Sequence, residues 1–279
     1  MINIAFWNAG ISKIKTRDQS YIDKIHDTIS RLIIIEQIDI FALCEYPIDG
    51  HDLICREELC NYNFKEANYI IERKDTRVFY SNTKIQCCST TSIDQDRYVY
   101  NRFITDNLAF NFVCIHLSSK LYSDGETQLT EAHTIIDDIK EKEQQTDRKT
   151  IIIGDFNAEP YETPLLHVLG FHALSDQEFS ERGRIVKNIK YEAFYNPSWN
   201  LYGDFRKPTG TYFYNNSGAL NQLWYLFDQV IMRSEMTKFY VPGSLRILNV
   251  GLENKLGRPG ISDHFPIIFT INEEEKQHD

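Results

Sequence analysis

Four short apolar runs, each released into a polar or ionisable side chain, constrain this chain more than anything else in it. Ile4-Ala5-Phe6-Trp7 leads into Asn8, Phe41-Ala42-Leu43-Cys44 into Glu45, Phe112-Val113-Cys114-Ile115 into His116, and Ile151-Ile152-Ile153-Gly154 into Asp155, with Asn157 two residues further on. Apolar runs of this length bounded by polar residues and glycine read as buried strands. The ends of strands on a rigid sheet are common places for functional groups. The pattern therefore implies a sheet-based fold with its chemistry collected at strand ends.

The stretches between the runs supply helices. From Ser20 to Gln37 the apolar residues Ile22, Ile25, Ile29, Leu32 and Ile33 recur at three- and four-residue steps, the spacing of one helical face. Gly125 to Gln145 repeats the pattern with Leu129, Ala132, Ile135, Ile136 and Ile139, and a short helix is expected over 162–169. Strands are predicted over 38–44, 76–80, 98–104, 108–117 and 150–153, and again near Thr211, Leu223 and Ile261. Ser180 to Tyr212 shows no period and is punctuated by Pro197, Gly203, Pro208 and Gly210, so it reads as loop. With no repeat, linker or low-complexity tract, one mixed α/β domain over residues 1–271 is expected, followed by a frayed polar tail at 272–279.

Charge and cysteine content narrow the function classes. The 279 residues carry a net charge of -10, so the molecule as a whole repels polyanions and acidic membrane surfaces, and any nucleic-acid contact must be local. No apolar run approaches the roughly 18 residues of a membrane helix, and no basic segment with an apolar core opens the chain, which points to a cytoplasmic protein without membrane contact. The six cysteines form no Cys-x-x-Cys pair and are expected as reduced thiols rather than a zinc site. Cys44, beside Glu45, reads as a small buried apolar residue.

Gly154-Asp155-Phe156-Asn157 and Ser262-Asp263-His264 stand out as candidates for chemistry. Glycine permits close backbone approach, and Asp155 and Asn157, two apart, can face one side. The structural alternatives are an Asx turn for the first and a serine cap for the second. Taken together the candidates offer carboxylate, carboxamide and imidazole without thiolate, a donor set suited to a hard divalent ion such as Mg²⁺ or Mn²⁺.

In order along the chain, Phe6-Trp7-Asn8, Leu43-Cys44-Glu45, Ile115-His116-Leu117, Gly154-Asp155-Phe156-Asn157-Ala158-Glu159-Pro160, Phe227-Asp228-Gln229-Val230 and Ser262-Asp263-His264-Phe265-Pro266 resemble the endonuclease/exonuclease/phosphatase superfamily. The resemblance spans residues 4–271. It implies a four-layer α/β/β/α sandwich with two central mixed, mainly antiparallel sheets, the deoxyribonuclease-I-like fold. It also implies roles: Glu45 as main metal ligand with Asn8 beside it and Asp263 contributing, Asp155 orienting or deprotonating the attacking water, Asn157 and His264 donating to the phosphate, Asp228 orienting His264, and His116 as general acid. Phosphodiester cleavage needs charge neutralised at phosphate, one proton removed and another delivered, and this set supplies all three.

The segment after Asp155 departs from the inositol polyphosphate 5-phosphatase pattern, His116 is unlike the abasic-site endonucleases, and nothing indicates export as in the secreted deoxyribonucleases. Between Ser180 and Tyr212, six bases (Arg182, Arg184, Lys187, Lys190, Arg206, Lys207) outnumber three acids and alternate with aromatics, a composition able to pair with phosphates and stack on bases, or simply to pack an Ω-loop. The leading expectation is a Mg²⁺-dependent nuclease. The alternative is a phosphatase or phosphodiesterase for a small phosphorylated metabolite or lipid head group. A catalytically silent binding module is the third reading, opposed by the intact residue set. DNA or RNA, internal or terminal cleavage, one metal or two, and oligomeric state stay open at this stage.

Overall fold

A computed structural model describes residues 1–11, 18–67, 75–91, 97–120, 123–205, 207–249 and 251–275. Its strands in chain order are β1 (Ile2–Asn8), β2 (Ile40–Cys44), β3 (Phe64–Glu66), β4 (Arg77–Ser81), β5 (Gln86–Thr91), β6 (Tyr98–Ile104), β7 (Ala109–His116) and β8 (Thr150–Asp155). They continue with β9 (Ala173–Leu174), β10 (Arg184–Val186), β11 (Ile189–Tyr191), β12 (Phe194–Tyr195), β13 (Tyr212–Phe213), β14 (Trp224–Tyr225), β15 (Asp228–Arg233), β16 (Arg246–Ile247) and β17 (Ile267–Ile271). The helices are α1 (Gln19–Glu36), α2 (His51–Ile54), α3 (Gly125–Gln145), α4 (Thr163–Leu166), α5 (Gln177–Arg182) and α6 (Ser234–Thr237).

One six-stranded sheet has the order β16-β17-β1-β2-β4-β3, and a seven-stranded sheet the order β5-β6-β7-β8-β15-β12-β9. Eight of their pairings are antiparallel and three parallel, the mixed, mainly antiparallel architecture expected. Strand alternation sorts the apolar residues into layers. Ile2, Ile4 and Phe6 meet Phe110, Phe112, Ile151, Ile153 and Val230 between the sheets. Ala5, Trp7, Phe41 and Leu43 point the other way, onto Ile25, Ile29, Leu32 and Ile33 of α1. Val113, Ile115, Ile152 and Ile231 do the same against Ala132, Ile135, Ile136 and Ile139 of α3. Three cores thus separate four layers, helix, sheet, sheet and helix. Strands buried on both faces have to be apolar at every position, which is why the runs in the sequence are uninterrupted.

Both parallel pairs that matter for function are strand–helix–strand crossovers: β1-α1-β2 and β7-α3-β8. Each brings two strand C-termini side by side, and ligands bind beyond such ends in α/β sheets. Asp18 and Asp124 start the two helices, accepting from the Ser20 and Thr127 amides. Among the described residues no helix is long and apolar enough to cross a membrane, and the six cysteines are free thiols.

Several boundaries correct the sequence reading. Residues 180–212 are built from α5, the β10-β11 hairpin, β12 and a 3-10 turn over Pro197–Leu201, each too short to display a period. β15 is buried throughout, yet Asp228, Gln229 and Arg233 broke its apolar pattern. No strand begins at Ile261; the chain bends there and β17 starts at Ile267, because Ser262 and the bridge between Tyr212 and His264 hold it off the ladder. Residues 272–275 are tied down rather than frayed, since the Asn272 amide donates to Phe239 O at 2.7 Å and the Met1 amino group lies 3.3 Å from Glu273. The remainder of the expected tail, 276–279, lies outside the described residues.

Candidate active site

Register places the ionisable residues. Asn8 ends β1 opposite Cys44, one residue before Glu45, while Asp155 ends β8 opposite both His116 of β7 and Asp228 of β15. β15 and β17 run antiparallel to their neighbours, so their beginnings lie where β8 and β1 end. That topology brings Asp228 and His264 to the same rim. The two sheets therefore meet at one rim, with Asn8, Glu45 and His264 contributed from one side and His116, Asp155, Asn157 and Asp228 from the other.

Asn8 links the sides. Its fully buried Nδ2 donates to Glu45 Oε1 at 3.2 Å and to Asp155 Oδ2 at 2.9 Å, and its Oδ1 accepts from the Gly10 amide at 3.1 Å. Glu45 sits just past β2 with φ +50, a left-handed conformation that costs a non-glycine residue about 1 kcal/mol or more. Backbone bonds on both sides impose it: the Ile11 amide donates to Glu45 O at 2.9 Å and the Tyr46 amide to Asp75 O at 2.8 Å. Behind it, Tyr46 Oη lies 2.6 Å from His26 Nε2 on α1.

The structural alternative for the Gly-Asp-Phe-Asn segment, an Asx turn, coexists with a site. Asp155 Oδ1 accepts from the Asn157 amide at 2.8 Å in an Asx turn, leaving Oδ2 facing Asn8, His116 Nε2 at 3.9 Å and His264 Nε2 at 3.8 Å. A Cβ at Gly154 would stand 2.0 Å from Ile115 O, so only glycine allows β7 and β8 to close here. Asn157 (φ +46) turns its Nδ2 onto Leu117 O at 3.0 Å.

His264 is held on all sides. Nδ1 lies 2.7 Å from Asp228 Oδ2, the Tyr212 ring packs 4.7 Å from its centroid, and Trp7 Nε1 donates to its carbonyl at 2.9 Å. Ser262 does cap, accepting from the His264 amide at 3.2 Å, and it also donates to Asn8 O at 2.7 Å. Burial by itself would depress the imidazole, but the carboxylates of Asp228 and Asp155 outweigh it and raise its pKa to about 9. Burial pushes Asp228 upward as well, while His264 beside it pulls the other way. The proton therefore resides on His264, an imidazolium at neutral pH. His116 lies 3.9 Å from Glu45 Oε1 with 20% of its side chain exposed. Asp263 turns toward the Gly10 side, with Oδ1 3.4 Å from Ser262 Oγ.

The sequence offered Trp7 only as part of the Phe6-Trp7-Asn8 segment, Thr211 only as a strand position and Tyr212 only as an aromatic of the basic segment, none with a place beside His264. Thr211 Oγ1 accepts from the Asp228 amide at 3.2 Å and its carbonyl from Phe265 at 2.8 Å. Nothing local marks Thr211 or Tyr212, because their importance comes from the long-range bridge between Tyr212 and His264. The locally basic segment is a correction. Its hairpin β10-β11 joins β12, whose Phe194 pairs with Arg233, at the end of β15 opposite Asp228, a strand length of about 16 Å away. Arg182 pairs with Glu178, and Arg206 lies outside the described residues. Ser118 is an ordinary turn residue, bonded to Glu131 through both its amide and its hydroxyl.

Residues 5–241 match the family described as Endonuclease/Exonuclease/phosphatase family. The chain belongs to that family. Its members here are compared by fold: D. rerio TDP2 complexed with single strand DNA product superposes with a TM-score of 0.61 at 15% identity, covering 97% of this chain and 98% of that one. The human Nocturnin catalytic domain with bound sulfate anion gives 0.61 at 13% identity, covering 96% and 92%. An endonuclease/exonuclease/phosphatase family protein from Bacteroides thetaiotaomicron gives 0.60 at 14% identity, covering 100% and 98%. No curated protein matches the sequence. A protein of this family is a phosphoric ester hydrolase. Asp155, Asp228 and His264 place one ligand-type atom each within 4.8 Å of one another, a cluster able to hold a divalent metal only with His264 neutral; with the imidazole protonated it is an ion-paired triad.

Proposed function

We propose that the protein is a divalent-metal-dependent phosphodiesterase that cleaves nucleic acid. The observation that carries this reading is the convergence of Asn8, Glu45, His116, Asp155 and the Asp228–His264 pair on one cleft. The donors fit a hard ion, being oxygen and imidazole nitrogen without thiolate. The only nearby thiols, Cys44 and Cys114, lie 4.0 Å apart behind the strand ends, and burial raises the Cys44 thiol well above its usual range. We assign the cation, Mg²⁺ or Mn²⁺, to Glu45 with Asn8 and Asp263 as further donors. When bound it would neutralise charge on a phosphate oxygen.

The chain's own groups then divide the labour. Asp155, fixed by Asn8 and the Asn157 amide, takes a proton from the attacking water. The His264 imidazolium, oriented by Asp228, donates Nε2–H to a non-bridging oxygen together with Asn157. His116, partly open to solvent, hands its proton to the leaving oxygen.

Nucleic acid is favoured by an aromatic wall continuous with His264: Tyr212 stacks on Tyr214 at 6.2 Å and on Phe227 at 5.5 Å, and Tyr225 lies 5.2 Å from Phe227. Such faces stack on bases without regard to sequence. A second reading, a hydrolase for a small phosphoester, is supported by the net charge of -10 and by the remote position of the basic hairpin. A substrate panel separates them. Cleavage of single-stranded DNA or RNA is expected, falling by about 100-fold or more in His264→Ala; turnover of small phosphoesters with oligonucleotides left intact would transfer the assignment to the second reading.

A further inference from the structure

Glu159 closes the Gly-Asp-Phe-Asn-Ala-Glu segment and has no part in the chemistry above, yet it is only 1% exposed. Its carboxylate accepts from Tyr202 Oη, from Gln222 Nε2 and, at 3.3 Å, from the Leu226 amide. All three donors are neutral, and they come from the long excursion between β12 and β15, Tyr202 near its start and Gln222 and Leu226 at its end. Burial raises the carboxyl's pKa against those hydrogen bonds, so the site is maintained at a cost in desolvation. Tyr161, two residues on, adds to the same junction: its hydroxyl donates to Gln222 Oε1 at 3.2 Å and its ring lies 6.4 Å from Tyr202 and 6.5 Å from Trp199.

The turn that carries Asp155 does not depend on this junction. The Phe156 amide donates to Phe227 O at 2.9 Å, and Gln229 Nε2 donates to Ala158 O at 2.7 Å and Leu226 O at 3.0 Å. Those bonds, with the β8-β15 ladder, keep Asp155 and Asp228 in register whether or not Glu159 is present. Glu159 fastens the far end of the segment from Tyr212 to Leu226, through Gln222 and Leu226; the near end is held by the bridge to His264, and between them the segment bears Tyr212, Tyr214 and Tyr225.

We infer that Glu159 is a positioning residue that fastens this aromatic segment to the turn carrying Asp155, and so sets the affinity for a polynucleotide strand rather than the rate of bond cleavage. The substrate arm of this inference rests on the nucleic-acid reading; the clamp itself does not. Replacing Glu159 frees three donors at once and lets the wall drift, whereas a diester too small to reach the wall is indifferent to it.

The test compares wild type, Glu159→Ala and Tyr202→Phe, the last removing a single hydroxyl and sparing the fold. KM for a single-stranded oligonucleotide is expected to rise about tenfold in Glu159→Ala and less in Tyr202→Phe, the loss of one well-stacked base, with kcat nearly unchanged. Activity on bis(p-nitrophenyl) phosphate is expected to change by less than about threefold, since the reacting groups stay in place. Hydrogen exchange of amides between 212 and 226 is expected to quicken about tenfold while those of β8 stay protected. Equal losses on both substrates, or unchanged exchange in 212–226, overturn the inference. If wild type cleaves the small diester but no oligonucleotide, the nucleic-acid reading fails, and exchange alone still decides the clamp.

Discussion

His26 shows how far a single side chain reaches in this fold. It lies on α1, 3% exposed, and pairs with the hydroxyl of Tyr46, the residue that follows Glu45 in its left-handed turn. Burial lowers its pKa, Arg56 lowers it further, and Asp52, Asp23 and Asp27 oppose the shift. Burial, acting first, likewise raises Tyr46, with Glu66 adding to the effect and Arg77 opposing it. The imidazole is thus neutral in the fold. Because the unfolded chain takes up the proton first, stability present above the ordinary histidine pKa is lost as pH falls through about 6.5 toward the folded value. Thermal unfolding of wild type is therefore expected to weaken between about pH 7.5 and pH 5.5 more than that of His26→Gln, which has no proton to take up. An equal pH slope in both proteins would contradict the assignment.

At the scale of elements, α3 is locked to β15 by an ion pair that no periodicity marks. Arg233 donates from Nε and Nη2 to Glu143 at 2.9 and 3.0 Å, with side chains 2% and 4% exposed, and its guanidinium lies 4.0 Å over the Phe194 ring. Glu143 also accepts from Thr150 Oγ1 at 2.7 Å, joining α3 to the start of β8. Removing one partner of such a pair strands a buried charge, so Glu143→Ala is expected to destabilise the fold by about 3 kcal/mol in chemical denaturation, although it is far from the cleft. A loss below about 1 kcal/mol would show Arg233 repaired by Glu192, whose Oε2 lies 3.8 Å from its Nη1. The same charges explain what sequence reasoning could see. β1, β2, β7 and β8 announce themselves because both faces are buried and every residue is apolar; α1 and α3 do so because only one face is. β15 is as buried as any of them, but it spends two positions on the site and one on Glu143, and so reads as broken. Asp155, Glu45 and His116 were legible because each ends an apolar run. Thr211, Tyr212 and Trp7 were not, since their work lies in long-range pairings. The bases of the β10-β11 hairpin misled, although Tyr212 of the same segment does pack on His264, because composition carries no information about which end of a sheet each part occupies.

For the molecule as a whole, two crossovers of the same hand of logic, β1-α1-β2 and β7-α3-β8, set their strand ends against each other, and two antiparallel strands insert Asp228 and His264 between them. The cleft so formed concentrates carboxylates within a chain already at -10. Bringing a phosphate there without a cation would oppose like charges in a poorly solvated site. The metal dependence we propose would then follow from the whole charge distribution as well as from Glu45. The most direct measurement is the rate of oligonucleotide cleavage as MgCl₂ is titrated into EDTA-stripped protein, wild type beside Glu45→Ala. Expected are no cleavage without metal, saturable activation in wild type, and a loss of about 100-fold or more in Glu45→Ala at every Mg²⁺ concentration. Cleavage that survives chelation, or that is undiminished in Glu45→Ala, would contradict it.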